Sequence, residues 1–330
     1  MSSRERASFE NPFLRLLYRS LSGQFDVKWF DWKTALLGNW NLLHLHWPEQ
    51  IFRPSRRGLS VPVKYAFAWL FLLRIWWTRP AIVWTVHNNE PHESGGLLER
   101  RFLALLAGFV DKRVYMAPDA ARSSEHSVIP HGVYEQSIPS EPPTIVTGRI
   151  LFAGLIRPYK GVEELIAAFG GLTTVDVSLR LVGKPHTPEY GRAIASLCNQ
   201  DARASCSLRF LPDAQLVVEV LESEIVVLPY RRMGNSGVLF FALGLNRPVL
   251  APRSPTTEWL QACVGTEFIY LYDGVLNHAI LDSALAWARS ERPSAPDLSQ
   301  FQWTRIGDQY SDVFRCALDQ SKARSRGPAE

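Results

Sequence analysis

The sequence predicts an α/β protein built from two doubly wound, parallel-sheet domains that face a cleft. Three observations predict it. The chain has 330 residues, more than one hydrophobic core usually organises. From Arg149 onward, short apolar runs alternate with helical patterns, which describes a parallel sheet covered on both faces. A polar, proline-bearing stretch at residues 137–147 (SIPSEPPTIVT) separates this half from a first half with a looser version of the same alternation. The expected division is a first domain at 1–145, a second at 146–300 and a terminal helix with its tail at 301–330.

In the first half, strands are expected at residues 26–30, 42–46, 82–87 and 113–116. Residues 61–77 (VPVKYAFAWLFLLRIWW) read as a helix, but Lys64 and Arg74 interrupt the apolar run. A spanning helix needs roughly 20 apolar residues, so this one is buried or lies at a membrane interface. In the second half, strands at 149–153, 177–182, 207–211, 225–230, 248–251 and 268–271 are separated by helices at 162–169, 188–199, 213–221, 236–245, 255–264 and 275–289. Trp303, Ile306, Tyr310, Val313, Phe314 and Ala317 recur at helical spacing, so a last amphipathic helix packs on the protein. Disorder is expected after Lys322.

Composition narrows the function. With 46% hydrophobic and 21% charged residues, the chain is neither disordered nor fibrous. Cys198, Cys206, Cys263 and Cys316 form no CxxC pair, which suits neither a zinc site nor a disulfide framework and points to a reducing compartment. The N-terminus has charges without a following apolar core, so no secretory signal is read there and the chain is expected to be cytoplasmic. Residues 1–150 hold 18 Lys and Arg against 13 Asp and Glu, and eight of the eleven tryptophans lie at or before Trp84. A basic, indole-rich half fits peripheral contact with the inner face of the plasma membrane. Its aromatic residues lie on expected strands and helices rather than in a basic groove, so no nucleic-acid partner is expected.

In open α/β sheets, ligands bind beyond the carboxyl ends of the strands, so the loops there should carry the chemistry. Gly154–Gly161 (GLIRPYKG) joins a strand to a helix and adds Arg157 and Lys160 to a glycine turn, a diphosphate clamp in outline. Residues 233–238 (MGNSGV) form a second anion cradle, with the amides of Ser236 and Gly237 exposed and Asn235 as the cap. The two cradles follow non-adjacent strands yet converge on one ligand. The first half supplies His44, His46 and Glu49 after one strand and His87, Glu90, His92 and Glu93 after another. His44 and His46 flank Leu45, and one of the two is expected to face the core. No HExxH spacing is present, so these groups suit general base catalysis or sugar-hydroxyl binding better than a metal. The absence of GxSxG, Walker A and GxGxxG patterns argues against hydrolase, P-loop and simple dehydrogenase chemistry.

These segments, in this order, resemble the GT-B glycosyltransferases, particularly the group related to retaining family 4. The matching stretches are 83–89 (VWTVHNN), 128–132 (VIPHG), 150–169 (ILFAGLIRPYKGVEELIAAF), 179–185 (LRLVGKP) and 226–252 (VVLPYRRMGNSGVLFFALGLNRPVLAP), and the likeness covers roughly residues 25–320. The resemblance implies two Rossmann-like domains, the second binding a nucleotide-sugar and the first an acceptor, with the final helix crossing back to the first. It further implies that Gly154, Arg157 and Lys160 hold the donor diphosphate together with Asn235, Ser236 and Gly237, and that His87 lies near the transferred sugar.

One departure is informative. Retaining members carry Glu-x7-Glu before a GxPV turn, and alignment on Asn246-Arg247-Pro248-Val249 places Met233 and Phe241 at those two positions. A Ser-Gly turn without the acid pair looks like the inverting β-mannosyltransferases that use GDP-mannose, among them lipid-linked enzymes of exopolysaccharide assembly. The expected activity is therefore a hexosyl transfer, mannose favoured, from a nucleotide-diphosphate donor to a glycan or lipid-linked acceptor. No metal or other cofactor is expected, Arg157 and Lys160 supplying the positive charge. His87 or Glu90 is expected as the base, with His46, Glu49 and Glu93 on the acceptor. The alternative is a catalytically inactive sugar-nucleotide-binding scaffold of a polysaccharide assembly complex.

Overall fold

The structure is a computed structural model that describes residues 11–52, 60–87, 96–118, 126–134, 136–174 and 176–325. The chain divides into two compact units, Met1–Gly132 with Phe301–Glu330, and Val133–Gln300. The change therefore falls after Gly132, not at residue 145. Residues 133–147 are tied to the second unit: Gln136 Nε2 donates to the Phe241 carbonyl at 2.9 Å, and the Val146 amide to the Glu222 carbonyl at 2.9 Å.

The first unit holds a four-stranded parallel sheet, β1 (Leu42–Leu45), β2 (Ala81–Val86), β3 (Lys112–Tyr115) and β4 (Ser127–Val128), in that spatial order. Its helices are α1 (Pro12–Leu21), α2 (Trp32–Leu37), α3 (Val61–Thr78), α4 (Leu97–Ala107) and, from the far end of the chain, α11 (Trp303–Ser325). Helix α1 is an element that the sequence reading missed. Asn11 caps it by accepting from the Phe13 amide at 3.1 Å, Pro12 sits at its first position, and Phe13, Leu14, Leu17 and Leu21 are buried. Helix α11 packs on α1 and β2, so the terminal helix returns to the first unit. It runs past Lys322: Ser321 Oγ donates to the Arg79 carbonyl at 2.8 Å and Arg324 pairs with buried Asp111 at 2.6 Å. These contacts replace the expected disorder as far as Ser325, and residues 326–330 lie outside the described residues.

The strand expected at 26–30 does not form, and β1 remains a sheet edge. Its aromatic side chains find helical partners instead. Trp29 stacks on Tyr18 at 5.3 Å, and Phe30 meets Trp32 and Phe71 edge-on.

The second unit is a six-stranded parallel sheet, β5 (Arg149–Ala153), β6 (Ser178–Val182), β7 (Ala204–Ser207), β8 (Ile225–Val227), β9 (Val249–Pro252) and β10 (Ile269–Tyr272), in the order β10-β9-β8-β5-β6-β7. Helices α5 (Val162–Gly170), α6 (Pro188–Cys198), α7 (Asp213–Glu222), α8 (Gly237–Gly244), α9 (Pro255–Val264) and α10 (His278–Ala288) alternate with the strands. This is the doubly wound 3-2-1-4-5-6 arrangement. Strand β7 lies three to four residues earlier than the expected 207–211. Its partner β6 ends at Val182, opposite Ser207, and residues beyond that point have no neighbour to pair with. Helix α8 is apolar on every side, and Leu239 to Leu243 are all buried, as befits a helix inside the core.

Candidate active site

The order of the second sheet reverses between β5 and β8, which pair directly, Ile150 with Ile225 and Leu151 with Val226. The two anion cradles thus follow neighbouring strands, not separated ones, and flank the switch point where doubly wound sheets bind ligands. Glycines make the approach possible. A Cβ on Gly161 (φ 64°) would lie 2.0 Å from the Pro229 carbonyl oxygen, and one on Gly183 (φ 148°) 1.7 Å from that of Gly154. At Gly154 (φ 111°), a Cβ would meet Val238 Cγ2 at 3.0 Å and Lys160 Nζ at 3.5 Å. Gly154, Lys160 and the first turn of α8 therefore share one small space.

Lys160 and the other cation of the loop, Arg157, are both half-buried. Lys160 Nζ donates to Tyr230 Oη at 3.1 Å and lies 4.8 Å from the centre of the same ring, which orients the ammonium without neutralising it. Arg157 precedes the short 3-10 turn Pro158–Lys160, and among the described residues neither it nor Lys160 pairs with a carboxylate. Nearby Arg231, by contrast, is tied to Glu164 Oε1 at 2.5 Å.

The cap of α8 is Ser236, not Asn235. Ser236 has extended backbone (φ −121°, ψ 112°), and its buried Oγ accepts from the Leu239 amide at 3.4 Å. Asn235 sits one residue before the cap. The Gly237 and Val238 amides precede the first intrahelical bond, so they can serve an anion. Gly237 is required here because a Cβ would stand 2.7 Å from Tyr134 Oη. Burial pushes the Tyr134 hydroxyl up to about 12, so it stays a neutral donor. Sequence reasoning missed Tyr134 and Tyr230 because no local pattern marks a tyrosine that touches a loop 70 or more residues away.

The first unit gathers a histidine cluster. Positions two apart on a strand share a face, so His44 and His46 point the same way and both are buried, their ring centres 4.2 Å apart. The expectation that only one of them faces inward is corrected by this period. His44 Nε2 lies 2.8 Å from Thr85 Oγ1, itself 3.1 Å from Tyr310 Oη. His46 Nδ1 lies 2.9 Å from His87 Nε2, so one ring donates and the other accepts. Trp47 stacks on His87 with centres 4.0 Å apart. Phe13 contacts His46, His87, His131 and Trp303. His131 donates from Nδ1 to the Gly132 carbonyl at 2.6 Å, and a Cβ on Gly132 would strike the Trp303 ring at 2.4 Å.

Burial is the leading cause that lowers all four imidazoles, His44 and His46 well below the ordinary value, His87 to about 3 and His131 to about 4. Each is a neutral ring with one donor and one acceptor at physiological pH. His46, expected on the acceptor, is thus an interior partner of His87. Glu49 is half-buried on the 3-10 turn Pro48–Phe52. Glu90 and Glu93 lie outside the described residues. Among the described residues, no three His, Cys, Asp or Glu side chains are grouped to hold a metal ion.

No family model matches the chain. Two proteins of Xanthomonas campestris pv. campestris, each named GDP-mannose:glycolipid 4-beta-D-mannosyltransferase, are 39% identical to it over 312 residues, 93% of this chain and 89% of theirs. Among solved structures, sucrose-phosphate synthase (tll1590) from Thermosynechococcus elongatus superposes with a TM-score of 0.59 at 15% identity, covering 97% of this chain and 81% of that one. The catalytic domain of starch synthase IV from Arabidopsis thaliana gives 0.58 at 12% identity, covering 94% and 78%. The structural likenesses carry the GT-B fold, and the sequence likeness carries the family. The chain is a glycosyltransferase, and it belongs to the family of the GDP-mannose:glycolipid 4-beta-D-mannosyltransferases.

Proposed function

We propose that this enzyme transfers mannose from GDP-mannose to a glycolipid, with inversion and without a metal ion, in the assembly of lipid-linked saccharide for an exopolysaccharide. The observation that carries the reading is the 39% identity to named mannosyltransferases over nearly the whole chain. The acceptor hydroxyl oxygen attacks the anomeric carbon, the bond from that carbon to the diphosphate breaks, and the hydroxyl proton passes to a base. Because the mannosyl group of GDP-mannose is α-linked, a β product requires a single inverting displacement. The loss of both family carboxylates at Met233 and Phe241 agrees with that route. Arg157, Lys160 and the first amides of α8 take the charge of the departing diphosphate. His87, neutral and oriented by His46 and Trp47, accepts from or donates to a sugar hydroxyl, with Glu90 as the second candidate base. The scaffold alternative loses its support, since the relatives are named as enzymes over the same span.

Thermal shift against a panel of GDP-, UDP- and ADP-sugars tests the donor. A ligand at 100 times its Kd stabilises the native state by about 2.7 kcal/mol, and GDP-mannose should produce the largest rise in Tm, with mannosyl transfer to a glycolipid in the same preparation. A larger rise with a UDP-sugar would refute the mannosyl assignment.

The reading extends to peripheral contact with the inner face of the plasma membrane. No described helix is long and apolar enough to cross a membrane. Helix α3 nonetheless exposes Leu70, Leu73 and Trp77 at 51%, 57% and 79%, at helical spacing on one face, while Ala68, Phe71, Leu72 and Ile75 enter the core. Exposed Arg100 and Arg101 on α4 add positive charge to the same unit. An amphipathic surface of this kind lies in the headgroup region of anionic lipid. The wild-type chain should sediment with phosphatidylglycerol vesicles, and the double variant Leu73→Glu, Trp77→Glu should lose about tenfold in partitioning. Equal sedimentation of the two would remove α3 from the contact.

A further inference from the structure

The segment 26–30 runs beside the open edge of β1 without pairing to it, and a cavity of about 260 Å³ separates the two. Ring contacts to helices hold that segment, Trp29 on Tyr18 and Phe30 on Trp32 and Phe71. Six aromatic side chains, Phe25, Trp29, Phe30, Trp40, Phe71 and Phe314, line it together with aliphatic residues such as Leu21 and Leu318, while Asn39, Asn41 and the exposed ion pair of Asp26 with Lys28 (3.3 Å) add polar groups. Cavities of about 150 Å³ lined by apolar groups stay dry and bind benzene, so a space of this size accepts a longer hydrocarbon. Two neighbours bear on what enters. Phe71 is one of the inward-facing residues of α3, the helix whose outer face carries Leu70, Leu73 and Trp77. His44 also lines the cavity, and its ring stands 4.2 Å from that of His46, the partner of His87.

We propose that this cavity binds the hydrocarbon chain of the lipid-linked acceptor next to its saccharide head, making Trp29, Trp40 and Phe71 determinants of acceptor-lipid specificity. The inference rests on the reading of the acceptor as a glycolipid. A chain leaving the bilayer along α3 meets an aromatic slot in the same unit and, at the far side of the slot, the strand that carries the histidines. Isoprenoid or acyl carbon gains there by leaving water, at about 25 cal/mol per Å² of apolar surface covered. Free aromatic metabolites would fit the walls too, but they would give no dependence on acceptor chain length.

The test compares acceptors that share one saccharide head on a short alkyl or a farnesyl chain. In the wild type, kcat/KM should be higher for the farnesyl acceptor. Ala35→Phe places a ring into the cavity from α2, where Ala35 is 5% exposed, and should cut kcat/KM for the farnesyl acceptor about tenfold through KM. Its KM for the nucleotide-sugar and its rate with the short acceptor should stay at wild-type values. A second measurement needs no filled variant. Monomeric bromododecanol should quench the emission of Trp29 and Trp40 saturably, and Trp29→Phe, Trp40→Phe should abolish that component. Mannosyl transfer that is indifferent to chain length, or quenching that does not saturate, would overturn the proposal. Absence of transfer to any glycolipid would instead overturn the functional reading, and saturable quenching would still report on the cavity.

Discussion

Replacing Arg157 and Lys160 together by alanine is expected to lower kcat/KM for the nucleotide-sugar by about 10³-fold or more, and each single replacement by about 10²-fold. The expectation follows from the electrostatics at the switch point. A diphosphate gains charge as the sugar departs, and the proposed function assigns that charge to the two cations of this loop and the first amides of α8. Neither cation has a carboxylate partner among the described residues, so no carboxylate there neutralises their charge. Lys160 is additionally held by Tyr230 at 3.1 Å, so Tyr230→Phe should cost less than Lys160→Ala while acting in the same direction. Steady-state kinetics with varied donor would show the loss in kcat as well as in KM, because the charge is largest in the transition state. A double variant within tenfold of wild type would remove both residues from the reaction. Arg157→Lys should recover only part of the loss, since an ammonium cannot reproduce the planar fork of a guanidinium on phosphate oxygens.

Acidification from pH 7.5 to 5.5 is expected to destabilise the protein by about 4 kcal/mol from three histidines alone. His44, His46 and His131 are all more than nine-tenths buried, and burial depresses each imidazole, His131 to about 4. In the unfolded chain they titrate near 6.5. Below that value the unfolded state binds protons that the native state refuses, so the stability contribution is complete above about pH 6.5 and is lost as the pH falls toward the native values. One unit below the unfolded pKa, each group costs about 1.4 kcal/mol. Half-buried His87, lowered to about 3, adds a smaller increment because water screens it in part. Carboxylates titrate lower and do not act in this window. Urea unfolding at the two pH values measures the difference, and His131→Asn should flatten the pH dependence by roughly one proton's share. Equal stability at pH 5.5 and 7.5 would mean that the rings are protonated in the native state.

The same burial bears on catalysis. An imidazole lowered to about 3 is a weak proton acceptor. His87 is therefore better suited to orienting a hydroxyl than to abstracting its proton unaided.

Several features were readable from residues alone for identifiable reasons. The central strands β5, β8 and β9 are buried on both faces, so they appear as unbroken apolar runs such as Ile225–Val227, and α6, α8, α9 and α10 open on side-chain caps at Thr187, Ser236, Ser254 and Asn277. Glycine and charge together mark the loop Gly154–Gly161, because backbone that approaches an anion closely needs both. Other features had no local signature. Residues 26–30 have the composition of a strand, but a strand also needs a neighbouring edge to bond, and here aromatic stacking on helices competes successfully. Residues 208–211 fail for a related reason, since β6 stops opposite Ser207. The domain boundary moved from residue 145 to Gly132 because hydrogen bonds to α7 and α8, not composition, decide where a linker belongs.

By itself the amino-acid order determined the α/β class, the two-unit organisation and the chemical character of the two anion loops, all of which depend on periodicity and residue type within about twenty positions. Tertiary structure alone decided that β5 and β8 are neighbours, that Tyr134 closes on Gly237 and Tyr230 on Lys160, and that His46 reaches His87 rather than solvent. Those contacts join residues 41 to 103 positions apart, and closing such loops is a property of the whole packed chain, to which no short stretch of sequence holds the key.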